Sequence, residues 1–137
     1  MAKNKAKILL VDDEPDILEI VGYNLSQEGY QICTASNGKE AVAKAKSDLP
    51  DLIIMDVMMP EMDGIEACEI IRKLPELPNV IITFLTARNE DYTQVAGFDA
   101  GADDYISKPI KPKLLVSKVN ALLRRFNDQQ KNVGTLS

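Results

Sequence analysis

Five side chains suited to phosphate chemistry lie at or just past the ends of short apolar runs. Asp12 and Asp13 follow the first run, Asp56 follows a central one, and Thr86 and Lys108 end two later ones. Magnesium prefers oxygen ligands such as carboxylates, while hydroxyl and ammonium groups suit phosphate oxygens. Three carboxylates in one place repel each other unless a cation lies among them. The residue types therefore predict a magnesium-dependent phosphate site.

A helix cap is the alternative interpretation of the first two acids. Asp is favoured just before a helix, and Pro15 can occupy a first helical turn. A cap accounts for only one acid of the pair, however, and it leaves Asp56 unexplained. Thr86 or Lys108 taken singly would be an ordinary solvated residue. The acids together therefore favour the metal site.

The elements that must position these side chains follow from the alternation of apolar runs with segments of helical period. Runs such as 8–11 and 52–55 are typical of strands buried on both faces. Strict alternation predicts a parallel sheet with helices on both faces. Ligands bind at the carboxyl edge of such sheets, so the five side chains should meet in one crevice. We predict strands at 6–12, 30–35, 51–56, 79–85 and 104–107, and helices at 15–28, 38–47, 64–73, 89–100 and 112–126.

Length and composition indicate one globular domain. The 137 residues are 45% apolar and 27% charged, and no apolar stretch approaches the length of a membrane span. The N-terminus leads directly into a strand and shows no cleavable signal. Cys33 and Cys68 lack zinc-ligand spacing, which favours small buried thiols in a reducing cytoplasm and leaves a disulfide open. We therefore expect a cytoplasmic protein without a membrane segment.

Charge is distributed unevenly along the chain. Residues 1–110 hold 10 basic and 20 acidic side chains, whereas residues 111–137 hold 6 basic and 1 acidic. An acidic body argues against nucleic acid binding by the main surface. The basic side chains of the last segment fall toward a helix C-terminus, where the helix dipole favours cations. The helix dipole is therefore preferred over contact with DNA as the explanation of these basic side chains.

Together these motifs resemble the receiver domains of two-component response regulators. The resemblance covers about residues 6–126 and implies a flavodoxin-like (βα)5 fold with strand order 2-1-3-4-5. Residues 127–137 show no sustained period and are expected to form a flexible tail or the start of a linker. The resemblance rests on Ile8–Glu14, Leu52–Gly64, Leu85–Ala87, Gly101–Tyr105 and Lys108–Pro109.

The resemblance implies a role for each strand-end side chain. Asp56 would accept a phosphoryl group, and Thr86 and Lys108 would contact that group. Asp12 and Asp13 would hold magnesium together with Asp56 and the backbone carbonyl of Met58. An Asp carboxylate can act as a nucleophile, and a lysine with a metal stabilises the charge around the transferred group.

The donor must come from another protein if it is a phosphohistidine, because this chain contains no histidine. We therefore expect a histidine kinase or a phosphotransfer protein as partner. The domain would be a phosphoacceptor rather than an enzyme, catalysing at most its own phosphoryl transfer and dephosphorylation.

Thr86 and Tyr105 are the candidates for a switch. In similar receivers the hydroxyl residue moves toward the phosphoryl group and the aromatic residue turns inward. On the residues alone, Tyr105 is equally well explained as a half-buried strand aromatic. Arg88 would lie near the mouth of the site, as a residue tuning hydrolysis or as a solvated helix-start residue. Lys108 precedes Pro109, and a cis bond there would aim the lysine inward, but the isomer is left open.

The last helix resembles that of the OmpR/PhoB subfamily, whose members usually carry a winged-helix DNA-binding domain after a linker. The 137 residues do not include that domain, so we expect contact with DNA only through such an effector domain. The subfamily dimerises through its fourth helix, fifth strand and fifth helix using ion pairs, which this chain only partly keeps. Asp104 and Lys118 match one pair. Departures from the others are Gln94, Leu114 and Asn120, the last in place of a basic partner for Asp103.

We expect phosphorylation to switch the face formed by the fourth helix, fifth strand and fifth helix and so to control a winged-helix transcription regulator. Two other functions are weighed against this one. A stand-alone receiver that binds a partner protein is the nearer alternative. A magnesium-dependent phosphatase of the haloacid dehalogenase type also uses strand-end aspartates, but it requires an Asp-x-Asp-x-Thr motif. The segment 56–60, Asp-Val-Met-Met-Pro, lacks that motif.

Overall fold

Strands and helices alternate through the part of the chain that the structure describes, as the apolar runs predict. The computed structural model describes residues 6–86 and 91–136, and only the backbone at 91–95 and 125–136. No helix in those ranges is long and apolar enough to cross a membrane. The elements are β1 (Lys7–Val11), α1 (Pro15–Gln27), β2 (Gln31–Ala35), α2 (Gly38–Asp48), β3 (Leu52–Asp56), α3 (Gly64–Arg72), β4 (Ile81–Thr86), α4 (Asp91–Ala100), β5 (Asp104–Ser107) and α5 (Pro112–Leu136).

The five strands form one parallel sheet in the order β2-β1-β3-β4-β5. This is the predicted flavodoxin-like order. The strand order reverses between β1 and β3, and ligands of open parallel sheets bind beyond the carboxyl ends at such a point. β1 and β3 are neighbours with Val11 opposite Met55, so the residues after Val11 lie beside the end of β3.

Helices cover both faces of the sheet, and each face has its own apolar cluster. α1 and α5 pack on one face, where they supply Val21, Leu25, Leu115 and Val119. α2, α3 and the end of α4 pack on the other, where α2 and α3 supply mostly small residues such as Ala41, Ala45, Ala67 and Cys68. The strands are therefore buried on both sides, which explains why their sequences are continuously apolar.

Local signals set the helix ends. Gly29 adopts a φ of 95° just after α1, as expected for a left-handed C-terminal cap. Asn37 and Asp63 each accept a hydrogen bond from a first-turn N–H at 2.8 Å, so they cap α2 and α3. Gly64 lies so close to the Asp56 carbonyl that a Cβ there would overlap it. α3 therefore starts directly against the end of β3.

Several element ends differ from the prediction by one residue, and within the described residues β4 and α5 differ by more. β4 spans Ile81–Thr86 and not 79–85, so Thr86 is the last residue of the strand. α5 continues to Leu136, past the predicted end at residue 126. The backbone of residues 127–136, expected to be a flexible tail or linker, therefore extends the last helix. Arg88 lies outside the described residues, as does the side chain of Gln94.

Candidate functional site

Three carboxylates meet at the carboxyl edge of the sheet. Asp12 and Asp13 follow β1, and Asp56 is the last residue of the neighbouring β3. One carboxylate oxygen from each of the three lies within 4.8 Å of the others. Asp12 and Asp56 are buried, at 1% and 6% exposure, whereas Asp13 is exposed. Solvent therefore reaches the cluster mainly at Asp13.

Backbone amides fix one oxygen of each buried carboxylate. The N–H of Glu14 donates to Asp12 Oδ1 at 2.9 Å, and the N–H of Met58 donates to Asp56 Oδ1 at 3.3 Å. The other oxygen of each, Oδ2, faces Lys108. Both carboxylates are thus oriented by the loops that follow their own strands.

Lys108 enters the cluster from β5. Its Nζ lies 3.3 Å from Asp12 Oδ2 and 3.5 Å from Asp56 Oδ2. The Lys108 N–H donates to the Thr86 carbonyl at 2.8 Å, and the Lys108–Pro109 bond is cis, the isomer that the sequence left open. All the strand-end side chains are therefore carried to one edge of the sheet, as predicted.

Burial dominates the electrostatics of the carboxylates. It raises the pKa of Asp56 to about 6, helped by the Asp12 charge and opposed by Lys108. Burial also raises the pKa of Asp12, against the Glu14 N–H and Lys108. Burial alone would lower the pKa of Lys108, but the Asp56 and Asp12 carboxylates outweigh burial, so the pKa of Lys108 is raised. Two buried acids sharing one lysine leave an excess of negative charge.

The donor set fits a hard divalent cation. Three carboxylates converge, and Asp12 Oδ2 is buried without a hydrogen bond although Lys108 Nζ lies 3.3 Å away. Oxygen donors of this kind are the ligands that magnesium uses. The acidic cluster could therefore hold a metal ion.

Thr86 is the last residue of β4, and Tyr105 lies on the neighbouring strand β5. Thr86 is 3% exposed, and Tyr105 is 8% exposed. The Tyr105 ring packs edge-on against Phe98 at 4.7 Å between centroids and lies 5.7 Å from Phe84. Tyr105 is therefore buried in an aromatic pocket, deeper than the half-buried position considered from sequence.

A comparison with known families decides what kind of domain this is. The family model described as "Response regulator receiver domain" matches residues 8–120. The chain belongs to this family. The match includes every strand-end residue named above.

Similar proteins point to the branch of the family. This receiver domain is 45% identical over 119 residues to the alkaline phosphatase synthesis transcriptional regulatory protein PhoP of Bacillus subtilis, covering 87% of the chain and 49% of PhoP. It is 48% identical over 122 residues to the transcriptional regulatory protein ResD of the same species, covering 89% of the chain and 50% of ResD. The chain thus spans about half the length of these relatives.

A solved structure supports the same fold. The chemotaxis response regulator CheY4 of Vibrio cholerae is 34% identical, with a TM-score of 0.82. The likeness covers 86% of this chain and 98% of CheY4. The likeness thus extends over nearly the whole CheY4 chain, whereas it covers about half of PhoP and of ResD.

The ion-pair residues of the receiver have partners inside the chain. Lys118 lies 3.7 Å from Asp104, the pair that matches the subfamily. Asp103 instead accepts a hydrogen bond from Arg72 at 2.7 Å. The Tyr30 hydroxyl donates to Asn120. The contacts of Arg72 and Tyr30 join residues far apart in sequence, so no local sequence pattern could predict them.

Sequence reasoning also missed a fourth acid. Glu14 Oε2 lies 3.3 Å from Lys108 Nζ, as close as Asp12 does. The available signal was the run Asp12-Asp13-Glu14, which places a third acid next to the metal-ligand candidates.

Both cysteines are free thiols. Cys68 is buried, as the favoured interpretation expected, whereas Cys33 is only partly buried. Burial raises the pKa of Cys33 and of Cys68 to about 11 in each case. They are therefore unreactive as thiolates near neutral pH.

Proposed function

We propose that Asp56 accepts a phosphoryl group and that the phosphorylated domain controls a transcription regulator. The observation that carries the proposal is the position of Lys108, 3.5 Å from Asp56 in a crevice with two further acids. A buried carboxylate beside a cation and a cluster of oxygen donors suits transfer of a group that carries several negative charges.

The proposed step makes one bond and breaks one. An Asp56 carboxylate oxygen attacks phosphorus, and the bond from phosphorus to the donor nitrogen or oxygen breaks with its electron pair staying on the donor. Lys108 offsets charge on the phosphoryl oxygens before and after transfer, and Thr86 contacts the same oxygens. The product is an acyl phosphate on Asp56.

We propose magnesium as the metal, held by Asp12, Asp13, Asp56 and the backbone carbonyl of Met58. Bound there, it would neutralise charge on the carboxylates and the transferring phosphoryl group. Carboxylates from two neighbouring strands and a buried Asp12 oxygen without a hydrogen bond support this choice.

A histidine kinase or phosphotransfer protein is the proposed donor, because receiver domains work with such partners and the chain has no histidine. The output is proposed to be transcriptional through a winged-helix domain, because the similar proteins PhoP and ResD are named as transcriptional regulators and are about twice as long. That similarity favours this output over a stand-alone receiver. A regulator of transcription acts where the DNA is, which supports a cytoplasmic location.

The signal is proposed to pass through Thr86 and Tyr105 to the face formed by α4, β5 and α5. Phosphorylation adds about 1.5 to 2 negative charges, which a bistable element must detect. Thr86 is joined to Lys108 by a backbone hydrogen bond, and Tyr105 lies on the adjoining strand under α4. The domain itself is proposed to catalyse no more than its own phosphorylation and dephosphorylation.

The test of phosphorylation is an intact-mass measurement. The wild type and Asp56→Asn are each incubated with magnesium and acetyl phosphate. We expect one phosphate adduct on the wild type and none on the variant, because the variant lacks the nucleophilic oxygen. Equal labelling of the two proteins would refute Asp56 as the acceptor.

A further inference from the structure

Glu14 occupies a helix-cap position without acting as a cap. It is the N-cap residue of α1, but its side chain makes no cap hydrogen bond. Short side chains such as Asp, Asn, Ser and Thr are favoured at this position because they reach the amides of the first turn. The structural need of α1 therefore does not account for a glutamate at this position.

The Glu14 carboxylate contacts the site lysine instead. Its Oε2 lies 3.3 Å from Lys108 Nζ, which also lies 3.3 Å from Asp12 and 3.5 Å from Asp56. The exposure of these partners differs sharply, since the Glu14 side chain is 61% exposed and the Asp12 side chain is 1% exposed. Glu14 is thus the partner of Lys108 that can most readily move into solvent.

We propose that Glu14 is a positioning residue that holds Lys108 toward the β1 side of the site and competes with an incoming phosphoryl group for it. The inference rests on the function proposed above. An ammonium group has three N–H donors, and three carboxylates surround this one. A phosphoryl group brings further oxygens, so Lys108 must release a partner to bind them. The exposed Glu14 is the partner released most easily.

Glu14 therefore opposes phosphorylation, and its removal should favour it. An exposed ion pair contributes little free energy, so the gain is modest, about two- to fivefold in the rate at low donor concentration. Lys108 contacts the donor before transfer, so the gain should appear as a lower half-saturating donor concentration and not as a higher maximal rate.

Two substitutions separate a direct contact from a general effect of charge. Glu14→Gln removes the charge and keeps the length of the side chain. Glu14→Asp keeps the charge, but it is one methylene shorter and favours capping α1, so it should leave Lys108. Glu61→Gln is the matched control, because Glu61 is an exposed acid of the loop between β3 and α3.

The experiment measures the phosphorylation rate of the 137-residue chain by intact mass, at saturating magnesium and varied acetyl phosphate. We expect both Glu14 variants to lower the half-saturating concentration about two- to fivefold and Glu61→Gln to leave it unchanged. Two results would overturn the inference. One is an equal gain in Glu14→Gln and Glu61→Gln with none in Glu14→Asp, and the other is no change in either Glu14 variant. A wild type without an adduct, or an adduct on Asp56→Asn, would instead overturn the proposed function.

Discussion

Asp12 and Asp56 are buried carboxylates that the fold holds at some cost in stability. Burial raises the pKa of both, and for Asp56 it reaches about 6 from an ordinary value of 3.8. A raised pKa in the folded state means that folding favours the protonated acid. The contribution of protonated Asp56 to the free energy of unfolding is therefore complete below pH 3.8 and is lost as the pH rises through about 6.

The first prediction concerns the stability of the metal-free protein. In a chelator at pH 7.5, Asp56→Asn should raise the free energy of unfolding by about 1 to 2 kcal/mol, because it removes a buried charge. At pH 4 the two proteins should differ little, since Asp56 is then largely protonated. Urea unfolding followed by far-UV circular dichroism measures both values.

The same urea unfolding experiment can be repeated with magnesium in place of the chelator. At about a hundred times its dissociation constant, it should raise the wild-type free energy of unfolding by about 2.7 kcal/mol. The gain should be smaller in Asp56→Asn, which lacks one carboxylate ligand. Glu69→Gln, which neutralises an exposed acid in the middle of α3, is the control and should change neither value. An Asp56→Asn variant less stable than the wild type at pH 7.5 would contradict the electrostatic argument.

At the scale of elements, α4 lies close to the sheet because it carries a glycine over Tyr105. A Cβ at Gly97 would overlap the Tyr105 hydroxyl and would come within 2.8 Å of Phe84 Cε2. The Tyr105 ring is held between Phe84 and Phe98. Gly97 therefore makes room for the inward position of the proposed switch residue.

The second prediction tests this role of Gly97. Ala is favoured over Gly inside a helix by about 1 kcal/mol, so Gly97→Ala would stabilise α4 if there were space. We expect it instead to destabilise the protein by about 1 to 3 kcal/mol and to displace Tyr105 outward. Tyrosine ring resonances in a ¹³C-labelled sample report the displacement.

Tyr105→Phe provides the matched background for that substitution. Removing the hydroxyl relieves the main overlap, so Gly97→Ala should cost less in Tyr105→Phe than in the wild type. Equal costs in both backgrounds, or unchanged Tyr105 resonances, would show that Gly97 does not set the position of the ring.

The sequence predicted the elements and the strand-end site because both depend on local signals. Continuous apolar runs indicate buried strands, and residues that follow parallel strands meet at one edge. The contacts of Glu14 with Lys108 and of Tyr30 with Asn120 were not predictable, since each depends on the packing of distant elements. The helical backbone of residues 127–136 was missed because that segment has no apolar period.

At the scale of the whole molecule, the ion-pair residues of α4, β5 and α5 are partly engaged within the chain. Asp104 and Lys118 pair with each other, and Asp103 is held by Arg72. Exposed pairs are individually weak, so an exchange of partners between two chains costs little. The dimer through this face therefore stays a prediction, and it would have to form by such an exchange.

The last prediction joins the site to that assembly. With magnesium and acetyl phosphate, the wild type should shift from 15.1 kDa toward about twice that mass in light scattering after gel filtration. Thr86→Ala should still gain the phosphate adduct, because Asp56, Lys108 and the acids remain, but it should dimerise less. Without the hydroxyl, residue 86 cannot move toward the phosphoryl group. Phosphorylation would then no longer change the packing of Tyr105 against α4. Asp56→Asn should remain monomeric throughout, whereas a wild-type dimer shift in phosphorylated Thr86→Ala would remove Thr86 from the path of the signal.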